Sequence, residues 1–202
     1  MNNIRPRPGF QRSDIMRRRI WGVLLVLASL AGTNAWAASL EGTRQIILSN
    51  AAGERHRIGA IVFSDGGNGK TAFQIDMAEN MEDFFLAMRP FLCLTGEKQR
   101  LCWFPVKNEA ALISPDDLLP LEYALMFMRT KAKDLHVNPF NGLYYKLRWT
   151  PEGIRGTLFE VDMAPFIAPD ILPVEQRQRP LKPQDFYEAD AGSNWLPILS
   201  IE

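Results

Sequence analysis

Phe91-Leu92-Cys93-Leu94-Thr95 and Arg100-Leu101-Cys102-Trp103-Phe104, joined by Gly96-Glu97-Lys98-Gln99, are the residues on which the reading of the fold turns. Two short apolar runs separated by a small, polar, glycine-containing linker read as a β-hairpin. If Thr95 faces Arg100, then Cys93 faces Cys102 and Phe91 faces Phe104. A single register therefore sets the two sulfurs opposite each other, within bridging reach. Cys93 and Cys102 are the only cysteines in the chain. With no C-x-x-C spacing and no histidine beside them, they read as a structural disulfide and not as a redox or metal pair.

Strand signals continue on both sides of this hairpin. Upstream, apolar segments at 43–49, 56–64 and 70–77 are separated by turn residues. Downstream, 142–149 and 154–162 flank Thr150-Pro151-Glu152-Gly153, which has proline early and glycine late, the order a tight turn favours. The cysteine hairpin itself reads as strands over 88–95 and 100–106. Between it and the last hairpin, Ser114-Pro115-Asp116-Asp117 resembles a helix start, and Leu118, Leu121, Leu125 and Met128 follow at helical spacing. Pro120 divides this segment into a short turn and a main helix expected over 121–134. The expectation is a mainly β (α+β) chain: a curved antiparallel sheet or small open barrel of about seven strands, with one helix between the fifth and sixth.

The ends of the chain differ in texture from this body. Residues 1–37 place Arg17-Arg18-Arg19 before an apolar run from Ile20 to Ala31 and the small-residue box Ala35-Trp36-Ala37, the order of a signal peptide cleaved near Ala37/Ala38. Met16 is an alternative start that gives a signal of ordinary length. The apolar run is shorter than the about 20 residues a membrane span needs, so membrane contact is expected only transiently, through this leader. The reading is of a protein delivered to the periplasm or secreted. A single β-rich domain is expected over 38–165, followed at 166–202 by a proline-rich, extended tail. The tail ends in apolar Trp195-Leu196-Pro197-Ile198-Leu199-Ser200-Ile201, read as docking on its own domain.

Charge follows the same division. The chain carries 23 basic and 23 acidic residues, but residues 1–37 hold six arginines against one aspartate, and residues 38–202 hold 17 basic against 22 acidic. The exported part is thus acidic, which argues against nucleic-acid binding.

Several motifs invite chemistry and are better read without it. Ser64-Asp65-Gly66-Gly67-Asn68-Gly69-Lys70-Thr71 ends like a phosphate-binding loop but has Ser64 where the first glycine is required, and reads as a hairpin turn, with no nucleotide. His56 and His136 are the only histidines and form no metal-ligand spacing, so neither metal nor cofactor is expected. His136 reads as following a helix end. The methionines at 77, 81, 88, 126 and 128, interleaved with Phe and Leu, read as core filler.

Two functions of different class fit these features. The first is a non-catalytic binding or accessory module for a small apolar ligand or an envelope protein, with Trp103, Phe104, Tyr144, Tyr145 and Trp149 lining a groove. Arg89, set between Met88 and Pro90, is added as a buried charge with a specifying partner. The alternative is an envelope hydrolase using carboxylates such as Asp116 or Glu122. A further alternative is a proteinaceous inhibitor or assembly partner acting through the tail.

Overall fold

The computed structural model describes residues 40–78, 80–86, 89–106, 111–136, 138–167, 173, 179–190 and 192–202; the side chains of residues 86, 89, 139 and 167 are outside that description. The leader, its cleavage site and Met88 lie outside the described residues. Among these residues the chain is mainly β, a single antiparallel sheet of 12 strands in the order β4 (Glu82–Leu86), β5 (Arg89–Thr95), β6 (Gln99–Trp103), β8 (Phe127–Lys131), β9 (Gly142–Thr150), β10 (Gly153–Val161), β12 (Ile198–Ile201), β1 (Gly42–Ser49), β2 (Arg55–Gly67), β3 (Lys70–Met77) and β7 (Leu112–Ile113), with β11 (Phe186–Glu188) on β10. No helix among them is long and apolar enough to cross a membrane.

The cysteine hairpin has the register its sequence implies. In β5 (Arg89–Thr95) and β6 (Gln99–Trp103), Thr95 pairs with Arg100 and Cys93 with Cys102. The two cysteines form a disulfide. Phe91 and Phe104 stack, with ring centroids 6.1 Å apart. Strands β1 (Gly42–Ser49), β2 (Arg55–Gly67), β3 (Lys70–Met77), β9 (Gly142–Thr150) and β10 (Gly153–Val161) occupy the other expected segments. The Ser64–Thr71 motif is the β2–β3 turn: Gly67 pairs with Lys70, and Asn68 and Gly69 take φ of 54° and 72°. Those left-handed values suit asparagine and glycine, so the residues that resemble a phosphate loop are explained by turn geometry.

The strand count and the helix require correction. The expected seven strands omit β4 (Glu82–Leu86), β7 (Leu112–Ile113), β8 (Phe127–Lys131), β11 (Phe186–Glu188) and β12 (Ile198–Ile201). The expected 121–134 helix is only α1 (Leu119–Ala124), between the seventh and eighth strands; a second short helix, α2, spans Ala164–Ile167. Leu118, Leu121 and Leu125 do bury at helical spacing. From Phe127 the chain runs extended, and β8 pairs with β6 along its whole length and with β9 at Phe127 and Met128. Pairing with β6, completed by β9 at the start of the strand, outweighs the local helical pattern. His136 accordingly follows a strand and not a helix end.

The expected extended tail is likewise only partly so. β12 is inserted between β1 and β10, pairing with both, and Leu196, Leu199 and Ile201 are buried. Their apolar side chains reach the main core, and Ile198–Ile201 are paired with backbone on both sides. That core joins residues from β2 and β3 to residues from β5 and β6, so the sheet curls around one apolar interior. A smaller cluster on the outer face contains Tyr123, Met126, Tyr144, Val161 and Met163.

Candidate functional site

Alternation along the last hairpin separates two adjacent tyrosines. Counting back from the turn pairs Thr150 with Gly153, Tyr145 with Leu158 and Tyr144 with Phe159. Tyr145 and Leu158 point into the main core, while Tyr144 belongs to the outer cluster, since neighbouring side chains in a strand take opposite faces. The Tyr145 hydroxyl donates to Leu196 O at 2.8 Å, fastening the C-terminal segment, and burial raises its pKa.

Above Tyr144 and Phe159, α1 on one side and the 183–188 segment on the other enclose a cleft of about 480 Å³. Its walls are Leu119, Tyr123, Tyr144, Phe159, Leu181 and Phe186, with Lys146 at the rim. Tyr144 and Phe186 meet edge to face at 4.8 Å, Phe159 and Phe186 at 6.4 Å, and Tyr123 and Tyr144 at 6.4 Å. Such edge-to-face packing holds the rings in fixed positions. Leu119 is 42% exposed and faces solvent at the lip.

Hydrogen bonds fix both lips. Tyr123 OH accepts from Leu181 N at 3.0 Å. Arg179 donates to both oxygens of Asp185 at 2.6 and 2.7 Å, and Lys182 N donates to the same carboxylate at 2.7 Å. These contacts hold the Asp185 pKa below the usual carboxylate range, chiefly through the Arg179 hydrogen bonds and against the effect of burial. The bidentate pair closes the chain into the turn that carries Pro183 and Phe186.

Beneath the cleft lies Glu122, only 1% exposed. Tyr144 OH donates to its Oε2, Leu147 N donates to its Oε1 at 2.8 Å, and Lys146 Nζ lies 3.2 Å from Oε2. The carboxylate pins α1 to β9. Burial first, then the hydrogen bond to Glu122, raises the Tyr144 pKa, which keeps the phenol protonated as the donor. Among the described residues no second carboxylate is a partner of Glu122. Asp116 is exposed, in the turn bridged by Ser114 and Asp117. Among the described residues no three His, Cys, Asp or Glu side chains gather as a metal site.

The remaining sequence candidates divide between the two faces. Trp103 packs against the main core and donates to Ala124 O at 2.8 Å; Trp149 packs against the same core and donates to Pro115 O at 2.8 Å. Phe104 joins the outer cluster with Tyr144. Arg89 begins β5 opposite Leu86, and its side chain lies outside the description. The structure thus brings Phe104 and Tyr144 together on the outer face, apart from Trp103, Tyr145 and Trp149. Phe159 was reachable by counting from the turn, whereas Leu181 and Phe186 come from the distant tail with no local signal. No family model, curated protein or solved structure matches this chain.

Proposed function

We propose that the protein is an exported, non-catalytic binding module of the cell envelope that holds an amphiphile in the aromatic cleft. The observation that carries this reading is the cleft itself, an apolar, partly open cavity with one exposed ammonium at its edge. Lys146 is 61% exposed in its side chain, so it is free to turn from Glu122 toward an anionic group at the mouth. The favoured ligand has an apolar body for the Tyr144, Phe159 and Phe186 rings and an anionic end for Lys146.

The chemistry of the floor supports binding over catalysis. Glu122 already accepts hydrogen bonds from two buried donors, and among the described residues none of its hydrogen-bond or ion-pair partners is a second carboxylate, so the hydrolase alternative has no supporting observation. The engagement of β12 within the chain's own sheet likewise supplies no support for a tail that works as a strand for a partner. Burying about eight methylene groups gives roughly 6 kcal/mol at about 0.8 kcal/mol each, which corresponds to a Kd on the order of tens of micromolar before ordering costs.

A fluorescent fatty acid titrated into the purified, disulfide-bonded protein tests the proposal. A saturable one-to-one signal, weakened at least tenfold by Leu119→Asp, is expected. Absence of saturation up to the probe's solubility limit, or equal binding by the Leu119→Asp variant, would overturn it.

A further inference from the structure

A second cavity, of about 530 Å³, gathers charged and polar side chains around β8 and the loop after it. Gln99, Arg129, Lys131, Asp134, His136 and Asn141 contribute to its walls. Arg129 Nη1 is engaged by Glu160, Ser193 and Asn194, and its charge is paired with Glu160 at 3.2 Å. In contrast, the side chains of Lys131, Asp134, His136 and Asn141 have no partner among the described residues, so their hydrogen-bonding capacity is left to solvent or a ligand.

The wall of this cavity is built rigidly. Arg100, 5% exposed, donates to Ala132 O at 2.5 Å and Asp134 O at 3.1 Å, and its guanidinium lies 3.7 Å over the Phe84 ring. Thr130 Oγ1 donates to His136 O at 3.0 Å. Arg100 has no carboxylate partner among the described residues. Its Nε also donates to Thr95 Oγ1 at 3.3 Å; a permanently charged group in a low-dielectric setting, faced by carbonyls, a hydroxyl and a ring but no carboxylate, projects a positive potential into the space beyond them. Lys131 adds a second cation, and Asp134 is the one opposing free charge at the wall.

We propose that this cleft is a binding site for a compact anion, a phosphate or a small polycarboxylate, separate from the aromatic cleft. Lys131 and the imidazole of His136 supply donors to the anion, Asn141 supplies an amide donor, and Arg100 holds the loop in place while contributing charge from behind. Asp134 works against binding and limits its strength.

Calorimetric titration of the full disulfide-bonded protein at low ionic strength tests this, with inorganic phosphate, citrate and neutral glucose as separate probes. Saturation of one site by phosphate points to a phosphoryl ligand, and saturation by citrate to a polycarboxylate; either supports the proposal, and glucose should give no heat of binding. Lys131→Glu should weaken the anion at least tenfold. Asp134→Asn should tighten it several-fold, a gain that a purely structural role for the loop does not produce. No saturation by either anion, equal binding of glucose, or an unchanged affinity in both variants would overturn the assignment. Fatty-acid binding should be unaltered in Lys131→Glu, so failure here is distinguishable from failure at the aromatic cleft.

Discussion

Replacing Glu122 by alanine should destabilise the protein by about 3–5 kcal/mol. The side chain is buried and serves Tyr144 OH and Leu147 N, the latter at 2.8 Å. Its removal leaves two buried donors unsatisfied, at about 1–3 kcal/mol each. Lys146, largely in water, adds little, because exposed ion pairs are worth about 0–1 kcal/mol. Glu122→Gln keeps an acceptor for Leu147 N but places an amide NH2 where Oε2 accepts from Tyr144, so the Tyr144 hydroxyl must turn to accept and the charge assistance is lost; its cost should be about 1–2 kcal/mol. At about 2–4 °C per kcal/mol, the alanine variant should melt roughly 10 °C below the parent and the glutamine variant about 4 °C below. Urea unfolding followed by tryptophan fluorescence measures both, with unchanged m values showing that the denatured state is unaffected. Equal losses in the two variants, or an alanine variant within about 0.5 kcal/mol of the parent, would refute the assignment of Glu122 as the pin between α1 and β9.

Opening the Cys93–Cys102 bridge, nine residues apart in sequence, should cost about 2.5 kcal/mol by chain entropy; Cys93→Ser/Cys102→Ser compared with the parent in urea measures it. Asp185 has a depressed pKa in the folded state, so its contribution is present above the unfolded-state value and is lost as pH falls through the folded one, below about 4. Asp185→Asn should therefore show a shallower loss of stability than the parent as pH falls below about 4, as read by thermal melts at successively lower pH. Leu199, fully buried in a strand paired on both sides, should not accept a charge: Leu199→Asp should abolish cooperative unfolding, whereas exposed Phe85→Asp should melt within about 2 °C of the parent.

The hairpins were legible because strand patterning and turn chemistry are local. Cys93 and Cys102 identified their own register, and Thr150-Pro151-Glu152-Gly153 set the pairing that brings Phe159 beside Tyr144. The helix expected over 121–134 illustrates the limit. Leu118, Leu121, Leu125 and Met128 satisfy a helical period, yet Phe127–Lys131 becomes a strand because β6 pairs along its length and β9 joins at Phe127 and Met128. That pairing depends on residues far apart in sequence. The site was legible in the same uneven way. Tyr144 was named from its aromatic character, but its separation from Tyr145 follows from alternation, and Phe186 joins it through β11 on β10. Arg100 carries the buried charge of the cysteine hairpin, and nothing in Gln99-Arg100-Leu101 distinguishes it from a solvated strand arginine until the 132–136 loop is folded over it.

The most direct test of the amphiphile-binding proposal is backbone amide chemical-shift mapping by NMR during titration with a soluble fatty acid. The expected result is a saturating set of shifts centred on Leu119, Tyr123, Tyr144, Phe159 and Phe186, with the β8 loop unaffected. Shifts that never saturate, or that centre on Gln99 and Ser193 while the aromatic cleft stays still, would contradict it.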